Sequence, residues 1–254
     1  MTRRTATTRR AIPLMGTIFS FCLLASEDRA SRAIEAATAE LRAVDAAFSP
    51  FRADSLVSRV RRSELAPAAY PPLLAEVVRR CDAMTVATHG WFDPWALPDG
   101  FDPSGLVKGW GIERAATRVV DAGIRDFAIS GGGDVVVRGT GPTGRWRVGI
   151  RGPSDPHTVV LVLEPADAAV ATSGSYERGP HIFEPHTGQP ATNLASATVV
   201  GPDLATADAY ATALYAAGPA GLRWFTPAGG YRALTLDHQL TATFTDGLPE
   251  HCSR

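Results

Sequence analysis

The sequence predicts an α+β protein built on a largely antiparallel sheet with flanking helices. Short β-branched runs follow one another across Gly/Pro turns between residues 126 and 172, and again between 231 and 245. Two stretches, 27–47 and 104–121, carry apolar residues at helical spacing. Helices therefore flank strands that mostly succeed one another directly, which a parallel sheet with its crossover helices would not show.

The bulk properties set the frame. A chain of 254 residues permits one large domain or two small ones, and it can bury a substantial core. Its formal net charge of −1 argues against a nucleic-acid partner. Cys22, Cys81 and Cys252 lie far apart in no paired pattern, so no disulfide framework is expected.

Residues 1–10 are basic and polar and are expected to form a disordered tail, with residues 11–254 as one domain. Arginines, an apolar run and small residues in "MTRRTATTRRAIPLMGTIFSFCLLAS" imitate a twin-arginine export signal. Pro13, Gly16, Thr17 and Ser20 interrupt that run, and a first strand at 14–24 is the preferred reading. No other segment approaches the ~18 apolar residues of a membrane span. A cytoplasmic protein is the expectation, with an exported or membrane-associated one as the alternative.

A helix over 27–47 places Ile34, Leu41 and Val44 on one face, and Pro50 follows its end. A second helix at 73–88 presents Leu74, Val77, Val78, Cys81 and Met84. "HGWFDPWALPDGFDPSG" is a Gly/Pro/Asp-rich loop of the kind that tends to carry function. The helix 104–121 has Ser104 near its start and Gly123 just past its end as caps. "DFAIS", "VVVRG", "WRVGI", "TVVLVLE" and "AAVAT" read as strands, and 173–196 as a long polar loop. "ATVVG" adds a strand, "DLATADAYATALYAAG" a helix closed by Gly218, and "YRALTLD" and "LTATFT" complete the sheet.

Three clusters could carry chemistry. Asp208 and Thr212, at i and i+4 in an otherwise apolar helix, project from one face. A carboxylate buried there needs a partner, either a hard cation such as magnesium or calcium, or an arginine or loop amide. Asp102, Gly105 and Lys108 sit at a helix start, where amides and an ammonium suit an anion, although a solvated lysine explains the pattern equally well. The segment matches neither the phosphate-binding GxxxxGK[ST] loop nor the dinucleotide GxGxxG fingerprint.

The third cluster gathers Thr172, Ser173, Ser175, Tyr176, Glu177, Arg178 and His181 in one loop. His181 suits a general base or a plain surface histidine, and His186 is its rival. "ATSGS" is no GxSxG elbow, and the remaining histidines form no zinc pattern. Phe51, Trp91, Phe92 and Trp95 suit a flat ring system or core packing, and Gly131–Gly133 an anion nest or a tight turn, the latter preferred.

Taken together, "MGTIFSF", "FSPFRADSLVSRV", "GWFDPWA", "DPSGLVKGWGIERAA", "SGGGDVVVRG", "WRVGIRGP", "ATSGSYERG", "HIFEPHTGQPA" and "ATVVGPDLATADAYATAL" resemble the ApbE family of flavin transferases, in the family's order. The resemblance implies a T-fold-like domain with FAD bound in a cleft. It further implies magnesium-dependent transfer of FMN from FAD to a serine or threonine hydroxyl of an acceptor protein, releasing AMP. Mapped onto this sequence, it assigns the metal to the side chains of Asp208 and Thr212 and the carbonyl of Gly105. Asp102 and Lys108 would contact the FAD, Met15 and Phe51 would line the flavin site, and Trp91, Phe92, Asp93 and Ile182 would form its wall. His181 resembles the base that takes the acceptor's proton.

The sequence departs from the family at Pro103-Ser104, where leucine-glycine is common, and at Glu184, where aspartate is usual. An FAD pyrophosphatase yielding FMN and AMP, and a flavin carrier without turnover, are the competing readings.

Overall fold

A computed structural model describes residues 6–152, 158–175, 179, 181–226, 229–248 and 252–253. Eleven strands and six α-helices run in the order β1(Thr7–Leu14), β2(Thr17–Leu24), α1(Glu27–Phe48), α2(Leu56–Arg61), α3(Pro72–Ala87), α4(Ser104–Asp121), β3(Phe127–Gly131), β4(Asp134–Arg138), β5(Val148–Arg151), β6(Val159–Leu163), β7(Ala169–Gly174), β8(Ser196–Gly201), α5(Leu204–Ala217), α6(Gly221–Trp224), β9(Arg232–Leu236), β10(Ala242–Phe244) and β11(Cys252–Ser253), counted among the described residues.

The eight-stranded sheet has the order β1-β2-β3-β4-β7-β8-β9-β10, and each neighbouring pair is antiparallel. A smaller sheet follows the order β11-β6-β5. Side chains alternate across the large sheet, as a strand's period of two requires. Phe19, Phe21, Phe127, Ile129, Val136, Ala171 and Val199 face the helices. Val137, Val170, Leu234 and Leu236 face the other way, packing with Val148, Ile150 and Leu163 of the small sheet.

The single strand expected at 14–24 is instead a hairpin, and strand begins at Thr7 rather than after a tail through residue 10. Met15 and Gly16 form its two-residue turn with φ of 51° and 68°, the left-handed pair such hairpins use. Thr8 Oγ1 donates to Glu27 at 3.0 Å and Arg10 pairs with the same carboxylate, which ties β1 to the start of α1. Residues 1–5 lie outside the described residues.

The long helices form where the apolar spacing placed them. On α1, Ile34, Leu41 and Val44 are buried as predicted. Glu40 bridges α1 to Arg114 and Arg118 of α4, and Arg114 lies 4.8 Å over the Trp110 ring. Short helix α2, absent from the expectation, is capped by Ser55, whose side chain accepts from Ser58 N at 3.0 Å. On α4 Ser104 is the first helical residue rather than a cap, with Asp102 accepting its amide at 3.0 Å, while Gly123 follows the helix end as expected, with φ of 74°. No described helix is long and apolar enough to cross a membrane.

Candidate active site

α4 and α5 pack side by side on the helix-facing side of the sheet, and their contact is set by glycine. A Cβ on Gly109 would fall 2.5 Å from Leu204 O and 2.8 Å from Leu204 C, so only glycine lets the two backbones approach this closely. One turn earlier, a Cβ on Gly105 would stand 2.9 Å from Thr212 Oγ1 and 3.3 Å from Phe92 Cε2. The two helices therefore bring Gly105 against Thr212, and Gly109 against both Leu204 and Asp208. α5 begins on Asp203, whose Oδ1 accepts from Thr206 N at 2.9 Å, while Leu204 N donates to Glu113 Oε1 on α4 at 2.9 Å.

The chemistry collects around the inner end of this contact. Asp208 is 2 % exposed and Asp134, the first residue of β4, is fully buried. Lys108 lies between them: Nζ donates to Asp208 Oδ1 at 3.3 Å and pairs more closely with Asp134. Gly109 N donates to Asp208 Oδ2 at 3.2 Å, and Thr172 N to Asp134 Oδ1 at 3.4 Å. Burial drives Asp134 up to about 8. It raises Asp208 as well, against the pull of Lys108 and the Gly109 amide. For Lys108, burial disfavours the ammonium, but the two carboxylates outweigh it and the pKa is raised.

Two carboxylates thus share one ammonium in a low-dielectric setting, and with Asp134 pushed up to about 8 by burial, a proton on that pair balances the charge near neutral pH. Thr212 Oγ1 adds a hydroxyl one turn from Asp208, within 3.3 Å of Ser173 Oγ. A carboxylate, two hydroxyls and the bare backbone at Gly105 make a hard-oxygen set that fits magnesium or calcium. Among the described residues no three His, Cys, Asp or Glu side chains gather as a metal cage, so backbone and hydroxyl oxygens would complete any such site.

A cleft of about 150 Å³ opens over these groups. Its walls include Trp91, Phe92, Asp93, Asp102, Gly105, Lys108, His181, Ile182, Asp208 and Thr212, which brings together all the predicted site residues but two. Met15 sits in the β1–β2 turn and Phe51 is 94 % exposed, and neither lines the cleft. Lys108, expected to meet the ligand's phosphates, is held between two carboxylates and is no free cation. Arg61 secures the rim, donating to Phe101 O at 2.8 Å and to Asp102 Oδ2 at 3.1 Å. The aromatic loop below it is pinned by Thr88, which accepts from Phe92 N at 3.0 Å and donates to Met84 O at 2.7 Å.

The two rival histidines are separated by their surroundings. His186 packs edge-on against Trp91, ring centroids 4.5 Å apart. His181 is exposed on the cleft wall, and its Nδ1 bonds Gly179 O at 2.8 Å. A carbonyl only accepts, so Nδ1 carries the hydrogen and the neutral ring keeps its lone pair on Nε2. That is the tautomer a general base needs. Tyr176, Glu177 and Arg178 of the same cluster lie outside the described residues.

Asp134 is the residue that sequence reasoning missed. Gly132 and Gly133 turn with φ of 56° and 88°, the tight turn preferred over an anion nest, and both line the cleft. The available signal was a lone carboxylate closing a glycine run ahead of a β-branched strand.

Comparison with known proteins gives a consistent result. A family model described as "ApbE family" matches residues 15–98 and 99–235. A Vibrio cholerae protein named FAD:protein FMN transferase is 37% identical over 128 residues, covering 46% of this chain and 38% of the relative. A Rhodobacter capsulatus protein of the same name is 36% identical over 125 residues, covering 46% of this chain and 24% of the relative. The matched region therefore spans well under half the length of these curated relatives.

Among solved structures, the flavin transferase ApbE from Vibrio cholerae superposes with a TM-score of 0.85 at 22% identity, covering 97% of this chain and 99% of that one. The ApbE protein from Thermotoga maritima superposes with 0.86 at 19% identity, covering 98% and 100%. The overall architecture is shared.

Proposed function

Because this chain belongs to the ApbE family, we propose that it transfers FMN from FAD to a serine or threonine hydroxyl of an acceptor protein, releasing AMP, with magnesium as cofactor. One observation carries the reading. The hard-oxygen set of Asp208, Thr212 and Ser173 shares a single cleft with a histidine whose Nε2 is free to accept a proton.

In the proposed reaction the acceptor oxygen forms a bond to the FMN phosphorus while the pyrophosphate P–O bond to AMP breaks. His181 takes the hydroxyl proton on Nε2 as the general base. Trp91 and Phe92 offer apolar ring surface to a flavin, and Asp93 and Asp102 offer acceptors to its polar edges. Asp208, Thr212 and the Gly105 carbonyl would hold the magnesium, and Asp134 keeps Lys108 drawn against that carboxylate. When bound, the ion supplies positive charge to the phosphoryl oxygens as the transition state forms.

Incubation with FAD and magnesium, in the presence of a candidate acceptor, tests the reading. AMP together with an acceptor heavier by FMN supports transfer, AMP alone converts the assignment to a pyrophosphatase, and FAD retained without AMP makes the protein a carrier.

A further inference from the structure

The cleft draws its walls from two separate segments, and one contact outside the proposed chemistry joins them. The loop at 91–93 supplies Trp91, Phe92 and Asp93, and the segment at 181–185 supplies His181, Ile182 and Pro185. Resting on the reading of this cleft as the flavin site, we infer that His186 is a positioning residue: its ring holds the Trp91 indole at the angle from which it meets a flavin.

Three observations carry the inference. First, the backbone around Trp91 is already fixed, which leaves the direction of its side chain to be set. Gly90 N donates to Thr85 O at 2.8 Å, Trp91 N to Thr88 O at 3.1 Å and Phe92 N to Thr88 Oγ1 at 3.0 Å. The indole is half-buried, packing against the core while lining the cleft. His186 meets it with ring centroids 4.5 Å apart and planes at 88°, the edge-to-face arrangement that aromatic pairs favour.

Second, the seat of the imidazole is shaped for it. A Cβ on Gly90 would stand 3.2 Å from His186 Cε1, so a side chain there would crowd the ring. His186 is exposed and stands outside the cleft wall that its neighbour Pro185 lines. It therefore acts on a bound ring through Trp91 rather than by touching it.

Third, the ring is mounted on a braced support. Residues 182–191 form a small hairpin in which Phe183 bridges Pro190 and Ala191 N donates to Ile182 O at 2.9 Å. Glu184 N donates to Gln189 O and Gly188 N to Glu184 O, both at 2.8 Å, which closes the turn that carries His186. The same hairpin turns Ile182 and Pro185 toward the cleft. Without the imidazole, Trp91 would change rotamer freely and a flavin would have to immobilise it on binding, a cost that preorganisation removes.

The test compares the wild-type protein with H186A and H186F, substitutions at an exposed position whose folding is checked by circular dichroism. FAD binding is read by flavin fluorescence without acceptor, and AMP release is measured with a candidate acceptor over ranges of FAD concentration and pH. The inference expects H186A to weaken FAD binding and raise the KM for FAD roughly three- to tenfold, with kcat and its pH profile unchanged. H186F keeps a flat ring and is expected to return both quantities to within about twofold of wild type. Wild-type FAD affinity in H186A, or H186F binding as weakly as H186A, would overturn the positioning role and leave the flavin site standing. A fall in kcat with a shifted pH profile would overturn it in favour of an imidazole that moves protons. Wild-type protein that binds no FAD would overturn the flavin site, and the positioning role with it.

Discussion

Replacing Gly109 by alanine is the most direct test of how the site is assembled. The added methyl would meet Leu204 O at 2.5 Å, Leu204 C at 2.8 Å and Ala205 Cα at 3.1 Å, all backbone atoms that cannot rotate aside. Ordinary van der Waals contact begins near 3.4 Å, so α4 and α5 must separate by most of an ångström at this point. Overpacking of this kind costs about 1–3 kcal/mol, and the better helix propensity of alanine returns at most ~1 kcal/mol. A net loss of about 1–2 kcal/mol corresponds to a drop of roughly 2–8 °C in Tm for a chain of this size.

Gly111, two residues on in the same helix, supplies the control. Its Cβ would meet only side-chain atoms, Val44 Cγ1 at 3.2 Å and Leu41 Cδ2 at 3.6 Å, so G111A is expected to hold or raise Tm. Thermal unfolding followed by circular dichroism reads both variants. If G109A unfolds at or above the wild-type temperature, the close approach of the two helices is not real and the geometry of Asp208 and Thr212 built on it must be abandoned.

Further expectations concern the cleft and the thiols. G105A should fold normally but weaken magnesium binding, since its methyl would crowd Thr212 Oγ1 at 2.9 Å; an unchanged magnesium-induced Tm shift would contradict the metal assignment. D208N should lose magnesium-dependent AMP release and the metal's effect on Tm, and retention of both would move the metal elsewhere. H181A should keep FAD bound, as measured by flavin fluorescence, yet lose about 10²–10⁴-fold in transfer; near-wild-type transfer would return the role to His186 or solvent. Cys81 is fully buried and its thiol is pushed up to about 12, so peptide mapping after alkylation at pH 8 should find it unmodified until denaturant is added.

Elements with strong internal periodicity were legible in the sequence, because their signal is local. The apolar positions of α1 and the Asp208/Thr212 pair on α5 follow from spacing alone. β1 was hidden because an edge strand carrying exposed Arg9 and Arg10 has no buried stripe to announce it, and charge at a sheet edge is what protects it. α2 is six residues long, too short for a period to register. Asp134 was missed because its burial comes from helices far away in sequence, and a lone carboxylate after glycines looks like any turn. The family resemblance pointed Met15 and Phe51 at the flavin, yet neither reaches the cleft wall. Their separation from the other site residues depends on tertiary placement, which no motif encodes.

Helix α5 has almost no face in water: of its fourteen residues, only Thr206 and Thr212 and the apolar Ala217 escape full burial. Foldability and reactivity are consequently written into the same short segment. Random mutagenesis there would return mostly aggregated protein, and inactive clones would say little about chemistry. Anyone wishing to retune this scaffold toward another ligand would do better to leave that rod untouched and diversify the half-buried and exposed rim positions Asp93, Leu97 and 183–186, keeping Phe92, which belongs to the core.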